Sequence, residues 1–523
     1  MNDPEPEPIS GAESLIQTLI DSGVDTCFAN PGTSEMHFVV ALDKVPAMRP
    51  VLGLFEGTVT GMADGYGRMA DKPAVTLLHL GSGLGNGIAN LHNARRAQTP
   101  IINVIGDHAT YHQQWDTPLK SDIVGLARPV SAWVHSSESA HTVAADAARA
   151  VAAARAAPGG VATLILPADA AWGRANRPAP PIAVPAPAIV TDSAIDDAVA
   201  MLRSGQRTVI LTRGPTLRER GLTALGRIAA ATGARIMADL LAPRIERGAG
   251  RVAIERVPYR AETALEQFRD VANLILVGTH PPVAAFAYPD YPSWFLPDGI
   301  AIHYLAHEHE DGTAALEAVA DALGAAPDTA KRISLSLPDR PTGGLDQFSI
   351  GALIARHLPE GAIISEESAT NSLGPTTATI AAPPHDWMGN AGGAIGQGIP
   401  VAAGAAVACP GRKVVSIQAD GSAMYTLQTL WTQAREKLDC VTVIFSNRSY
   451  SILKIELDRV GARNPGPHAL SMFDIGNPDL DWRQLARGMG VEADRVETIE
   501  QFEAAFADAM KRPGPRLIEA IID

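Results

Sequence analysis

From end to end the chain alternates short unbroken apolar runs with amphipathic stretches of helical length. AVTLLH (74–79), IINVIG (101–106) and VATLIL (161–166) are short, rich in β-branched residues and bounded by turn formers, as buried strands are. Between the last two lies HTVAADAARAVAAARAA (141–157), an Ala-rich helix stopped by Pro158-Gly159-Gly160. The C-terminal part repeats the style with AIIS (362–365), VVSIQA (414–419) and VTVIFS (441–446), and a helix is expected around 425–437. Strands that are apolar on both faces and joined by helices form parallel sheets covered on each side. At roughly 150 residues per domain, the 523 residues amount to about three domains. Two Pro-punctuated stretches supply the cuts, RANRPAPPIAVPAPAIV (174–190) and AAPDTAKRISLSLPDRPTGG (325–344). The expectation is therefore α/β, with three consecutive doubly wound parallel-sheet domains over 1–175, 191–325 and 345–523.

Charge and cysteine content narrow the function. Lys and Arg number 43 against 57 Asp and Glu, a net charge of −14, which speaks against a broad nucleic-acid-binding face. Cys27, Cys409 and Cys440 form no CxxC pair, so neither a disulfide framework nor a zinc knuckle is indicated. The opening MNDPEPEPISG is acidic and Pro-rich, the reverse of a signal or transit peptide. No apolar run approaches the roughly eighteen residues of a membrane span. A cytoplasmic location without a membrane partner is expected.

Open parallel sheets bind ligands beyond the carboxyl ends of their strands. In the first segment those positions hold Asn30-Pro31-Gly32-Thr33, Glu56, His79 and Gly106-Asp107-His108. In the third they hold Glu366-Glu367-Ser368, Asp420-Gly421-Ser422 and Ser446-Asn447, while the middle segment offers little. Asp420 closes one strand and Asn447 the next. A carboxylate and an amide oxygen on neighbouring strand ends suit a hard divalent cation such as Mg²⁺, and Gly421-Ser422 opens a helix whose amides suit an anion. The same residues also read as a plain Asp-Gly turn and a cap. Glu56 precedes an apolar, Gly-rich helix with nothing to pair its charge. HLGSGLGNGIANLHNARR (79–96) is Gly-rich but is neither GxGxxG nor GxxxxGK[ST], so dinucleotide and P-loop readings fail.

QADGSAMYTLQTLWTQAREKLDCVTVIFSNRSYSIL (418–453) resembles the thiamine-diphosphate (ThDP) binding motif, GDG and, one helix and one strand later, NN. The form is that of acetolactate synthases and benzoylformate decarboxylases, with Ala419 for the first Gly and Ser446 for the first Asn. NPGTSE (30–35), FEGTVTGMADGYGR (55–68), residues 79–96, EESATNS (366–372) and GGAIGQGIPVAAGAA (392–406) resemble the family's other segments in order, over essentially the whole chain. The resemblance implies a ThDP- and Mg²⁺-dependent enzyme acting on 2-oxo acids, its first domain holding the pyrimidine and its third the diphosphate and metal. It implies that Glu56 contacts the aminopyrimidine, and that Asp420, Asn447 and the Ser449 carbonyl hold Mg²⁺. Thr33, Ala369, Thr370, Gly421, Ser422 and Tyr450 would contact the cofactor, with Ile395 as the aliphatic wedge beneath it. His79 falls where benzoylformate-decarboxylase-like enzymes keep a proton-transfer histidine.

His108 and His112, on the next strand-end loop, are substrate-pocket candidates with Ile452 and Leu453, and the resemblance puts Ile452 where a smaller residue lines the aromatic pocket of benzoylformate decarboxylase, so its branched side chain implies a small or aliphatic 2-oxo acid. His280 lies out of register with the second histidine of the benzoylformate decarboxylases. TVILTRGP (208–215) and NLILVGTHPP (273–282) contain no GxGxxG, so the FAD that acetolactate synthases carry there is not expected. The implied activity is decarboxylation with carboligation. Simple decarboxylation stays open, as does a catalytically silent partner that keeps the fold. A homodimer or homotetramer with sites between chains is also implied.

Overall fold

A computed structural model describes residues 9–522. The apolar runs of the first segment are strands β1 (Thr26–Asn30), β2 (Arg49–Leu52), β3 (Ala74–Leu78), β4 (Ile101–Asp107), β5 (Trp133–Ser136) and β6 (Val161–Pro167). They form one parallel sheet in the order β2-β1-β3-β4-β6-β5. Alternate residues of the same strands feed two separate cores. Phe28, Leu78, Ile105 and Ile165 pack on one face, and Cys27, Val75, Ile102 and Leu164 on the other. This double burial is the physical reason the strands read as continuous apolar runs.

The middle segment supplies β7 (Thr208–Thr212), β8 (Arg235–Ala238), β9 (Ile245–Arg247), β10 (Glu255–Arg256), β11 (Asn273–Val277) and β12 (Ala301–Ala306). All but β9 form a parallel sheet in the order β10-β8-β7-β11-β12. The third sheet contains β13 (Ala362–Glu367), β14 (His385–Met388), β15 (Val414–Ala419), β16 (Cys440–Ser446), β17 (Glu492–Val496) and β18 (Arg516–Ile521). Its order is β17-β18-β16-β15-β13-β14-β9. The three-domain α/β architecture is therefore as expected, with one correction. The third sheet is not purely parallel, because β9 crosses from the middle segment to lie antiparallel on β14.

A second correction concerns the helix expected around 425–437. It spans Thr429–Glu436, starting later than expected and ending where Lys437 turns left-handed at φ 53°, and a separate short helix, Asp420–Ala423, precedes it.

The outer units meet along two helices, Glu56–Ala70 and Gly398–Ala408, whose backbones touch. A Cβ on Gly65 would lie 2.0 Å from the Val401 carbonyl oxygen, and one on Gly404 would lie 1.9 Å from that of Met62. No side chain fits there, which accounts for the glycines of both motifs. Beside this contact Arg68 pairs with buried Asp64 (Nε to Oδ1 2.8 Å) and donates to the Gly389 carbonyl at 2.8 Å. Among the described residues no helix is long and apolar enough to cross a membrane.

Candidate active site

Glu56 is the first residue of its helix and is only 8 % exposed. Its Oε2 accepts from Asn86 Nδ2 at 3.0 Å, and a Cβ on Gly83 would stand 3.0 Å from Oε1. The helix N-terminus favours a carboxylate at this position. A buried acid is thus held ready, with one oxygen free of any hydrogen bond among the described residues.

His79 follows β3, as the sequence implied, and has partners that the sequence did not reveal. Its Nδ1 lies 2.9 Å from Glu35 Oε2 and 3.1 Å from Ser34 Oγ. Glu35 is 2 % exposed and also accepts from the Gly32 amide at 2.7 Å and from Ser34 Oγ at 2.5 Å. Two glycines make room. A Cβ on Gly32 would sit 2.3 Å from the imidazole, and one on Gly106 would sit 1.6 Å from Glu35 Oε1. A carboxylate at Nδ1 keeps the ring proton there and presents Nε2 outward. The next residue, Leu80, takes the left-handed φ of 53°, the sort of local strain that clusters at functional sites. Glu35 stood in view within NPGTSE, yet its partner is 44 residues away in sequence and only the fold joins them.

Thr33 is exposed at the start of the turn Thr33–Glu35. Beyond β4, His108 and His112 lie 5.6 Å apart between ring centroids, and His112 packs on Trp115 at 5.3 Å. His108 Nε2 is 3.0 Å from Thr117 Oγ1. No hydrogen bond among the described residues ties either histidine to His79. His280 stands apart on the central unit, 3.9 Å from Glu308.

On the third sheet, the parallel register pairs Ala419 with Phe445, so Asp420 and Asn447 leave adjacent strand ends. Ala419 has φ −80° and ψ 149°, ordinary extended backbone, so the missing first glycine costs nothing here. Asp420 is 1 % exposed, its Oδ1 accepting from the Gly421 amide at 2.8 Å and its Oδ2 from the Arg448 amide at 2.6 Å. Burial pushes its carboxyl above the usual range despite these donors, and it forms no ion pair among the described residues. Asn447 Oδ1 accepts from the Ser449 amide at 3.1 Å, and Arg448 between them takes φ 56°. Gly421 is required by Tyr450, whose ring would be 2.4 Å from a Cβ there. Ser422 spends its hydroxyl on the Glu367 and Ala419 carbonyls at 3.2 and 3.1 Å.

Ala369 and Thr370 form the turn Ala369–Asn371 after β13, with Ala369 at φ 51°. Ile395, 36 % exposed, rides a loop gripped from both outer units. Asn93 Nδ2 donates to the Ala394 carbonyl at 2.8 Å and Asn90 Nδ2 to that of Gly396 at 3.4 Å. From the other side Glu367 accepts from the amides of Gly396, Gln397 and Gly398 at 3.0, 3.2 and 2.9 Å. Burial pushes the Glu367 carboxyl up to about 7, against an ordinary value of 4.5. Between pH 4.5 and about 7 the unfolded chain therefore gives up a proton that the folded one keeps. Stability should fall with rising pH across that window, by at most about 1.4 kcal/mol per pH unit. Glu367→Gln should flatten this slope in urea titrations at a series of pH values. An unchanged slope would mean that Glu367 ionises normally.

Ile452 is half-buried and Leu453 42 % exposed on the helix Ser451–Arg459. The far end of that helix is anchored to the central unit. Arg459 stacks on Tyr288 at 4.6 Å and pairs with Glu262 at 2.7 Å. The fold thus assembles two polar sets, Glu56–His79–Glu35 and Asp420–Asn447–Ser449. No hydrogen bond among the described residues joins one set to the other.

Buried Glu56 and Asp420 thus stand at the carboxyl edges of the two outer sheets, where open α/β sheets bind their ligands. The family models for the thiamine pyrophosphate enzyme N-terminal TPP binding domain and C-terminal TPP binding domain match residues 9–126 and 374–520. The Mycobacterium tuberculosis protein named "Putative acetolactate synthase large subunit IlvX" is 50% identical over 98% of this chain and 99% of its own length. Pseudomonas aeruginosa benzoylformate decarboxylase is 28% identical over 95% of this chain and 96% of its own. The structure of Rhodococcus jostii RHA1 thiamine diphosphate-dependent 4-hydroxybenzoylformate decarboxylase superposes with a TM-score of 0.85, at 24% identity and 98% coverage of both chains, a likeness of fold. The chain belongs to the thiamine pyrophosphate enzyme family and is an enzyme of the acetolactate synthase and benzoylformate decarboxylase type.

Proposed function

We propose that the chain uses ThDP and Mg²⁺ to remove CO₂ from a small 2-oxo acid and to join the remaining acyl unit to a second carbonyl compound. The observation that carries this reading is the conjunction of buried Glu56 at one sheet edge with buried, unpaired Asp420 beside Asn447 at another. Asp420, the Asn447 amide oxygen and the Ser449 carbonyl offer the hard oxygen donors that Mg²⁺ prefers, with its other positions left to water and phosphate. Gly421, Ser422, Ala369 and Thr370 would flank the diphosphate, and Thr33, Ile395 and Tyr450 the rest of the cofactor.

When bound, ThDP supplies a nucleophilic carbon and an electron sink for the bond broken as CO₂ leaves. Glu56 would hold a proton at the aminopyrimidine ring. His79, oriented by Glu35, would move protons at the substrate oxygen or carbon through Nε2. Glu35 is then a positioning residue. Glu35→Gln should lower kcat by about tenfold while KM stays within about threefold, read by steady-state kinetics. Unchanged kcat would remove Glu35 from the account.

The 50% identical relative's name supports ligation. The Glu35–His79 pair favours a second reading, in which protonation releases a free aldehyde. We take residues 1–175 as the pyrimidine domain, 191–325 as the central domain and 345–523 as the diphosphate domain. The Glu56 set of one chain would face the Asp420 set of another in a homodimer or homotetramer.

The test is incubation of the protein with ThDP, Mg²⁺ and 2-oxo acids from pyruvate to benzoylformate, with CO₂ and carbonyl products followed by mass spectrometry. CO₂ with a 2-hydroxy ketone supports ligation, and CO₂ with aldehyde alone supports the second reading. No CO₂ from any acid would overturn both and shift weight to a non-decarboxylating lyase acting on acyloins or acyl-CoA compounds, or to a catalytically silent partner. Ile452→Ala should raise turnover of benzoylformate relative to pyruvate, and an unchanged ratio would remove Ile452 from the pocket.

A further inference from the structure

A cavity of about 880 Å³ lies between the central and C-terminal units, at the amino end of β8 and around the crossing strand β9. This is the end of the central sheet opposite the carboxyl edge, well within the volume range of small-molecule sites. Its walls combine apolar surface, including Ile245, Val252, Ile254 and Ile333, with a surplus of positive charge. Arg235 is neutralised by Glu255, and Glu246 faces Arg244 and Arg251. Arg247 and Arg256 line the same cavity, and neither forms an ion pair among the described residues.

Arg247 is held rigidly. Its guanidinium stacks 4.6 Å above the Trp387 ring and donates to the Thr376 carbonyl at 2.6 Å, with its other N–H groups uncommitted among the described residues. Burial, then the neighbouring Arg256, pull it down to about 9 from an ordinary 12.5. The Glu366 carboxylate acts on Arg247 from a distance and forms no ion pair with either guanidinium among the described residues, so the two line one space without an anion bonded to both.

We propose that this cavity is a binding site for a small anionic amphiphile, separate from the candidate active site. A carboxylate or phosphate head would lie between Arg247 and Arg256, where the guanidinium fork matches either group in two-point contact. An apolar body would cover the Ile and Val surface.

The test uses protein loaded with ThDP and Mg²⁺ and titrated with the fluorescent anion anilinonaphthalene sulfonate and with its uncharged counterpart phenylnaphthylamine. Saturable binding of the anion, about tenfold tighter than the neutral probe, is expected. Arg247→Gln should erase that preference, and Ala230→Trp, which fills the cavity from its exposed rim, should abolish binding of both. Decanoate and decyl phosphate then compete to distinguish the two heads. If Arg247→Gln fails to fold by circular dichroism, Arg256→Gln reads the same charge. No saturable binding by the wild-type protein, equal affinity for both probes, or binding indifferent to the substitutions would overturn the proposal.

Discussion

Glu56→Ala should lower kcat for CO₂ release by about a thousandfold while the protein still binds ThDP with Mg²⁺. The two effects separate because two different sheets carry them. Affinity would rest on Asp420, Asn447 and the loop around Ala369 and Thr370, all on the C-terminal unit. Glu56 belongs to the N-terminal unit and, among the described residues, makes its one side-chain hydrogen bond there, to Asn86. Removing its carboxylate takes away a proton-holding group and leaves the helix contact at Gly65 and Gly404 intact. Turnover and calorimetric binding should be measured on the same preparation. Near-normal turnover in Glu56→Ala would end the proposed mechanism, and loss of cofactor binding would move Glu56 from chemistry to affinity.

Asp420→Asn should have the opposite signature. In the unliganded protein its carboxylate is buried, carries no ion pair among the described residues and is pushed above its usual range by burial. Replacing it with a neutral isostere removes a desolvated charge, so the unliganded variant should melt no lower than the wild type. The liganded states should differ sharply. ThDP with Mg²⁺ at about a hundred times the dissociation constant should stabilise the wild type by about 2.7 kcal/mol, a rise of a few degrees in Tm. The variant should show almost none of this rise and almost no activity. A variant still stabilised by Mg²⁺ and ThDP would place the cation elsewhere.

The strands, their parallel pairing and the residues at their carboxyl ends were readable because each rests on local pattern. Runs such as VATLIL are apolar at every position, and that alone requires cover on both faces. The ends of those runs then locate Glu56, His79, Asp420 and Asn447 on sheet edges. The late start of the helix Thr429–Glu436 was not readable, because tertiary packing overrides local propensity in the turn before it. Nor was β9, three residues long, whose pairing with β14 depends on a chain more than a hundred residues away.

The same division runs through the candidate site. NPGTSE and EESATNS displayed Glu35 and Glu367 in plain view, and nothing near them in sequence says what either carboxylate touches. Glu35 meets His79 only because β1 and β3 are neighbours, and Glu367 meets the Gly396–Gly398 amides only because β13 ends beside that loop. The unpaired guanidinium of Arg247 likewise exists only where β9 crosses between two units. The amino-acid order by itself determined the family, the α/β class and which side chains stand at strand ends, since burial periodicity and chain reversal act over a few residues. The tertiary structure alone decided which of those side chains are partnered, buried or left with charge to share, since hydrogen bonding and desolvation depend on neighbours that only folding brings within reach.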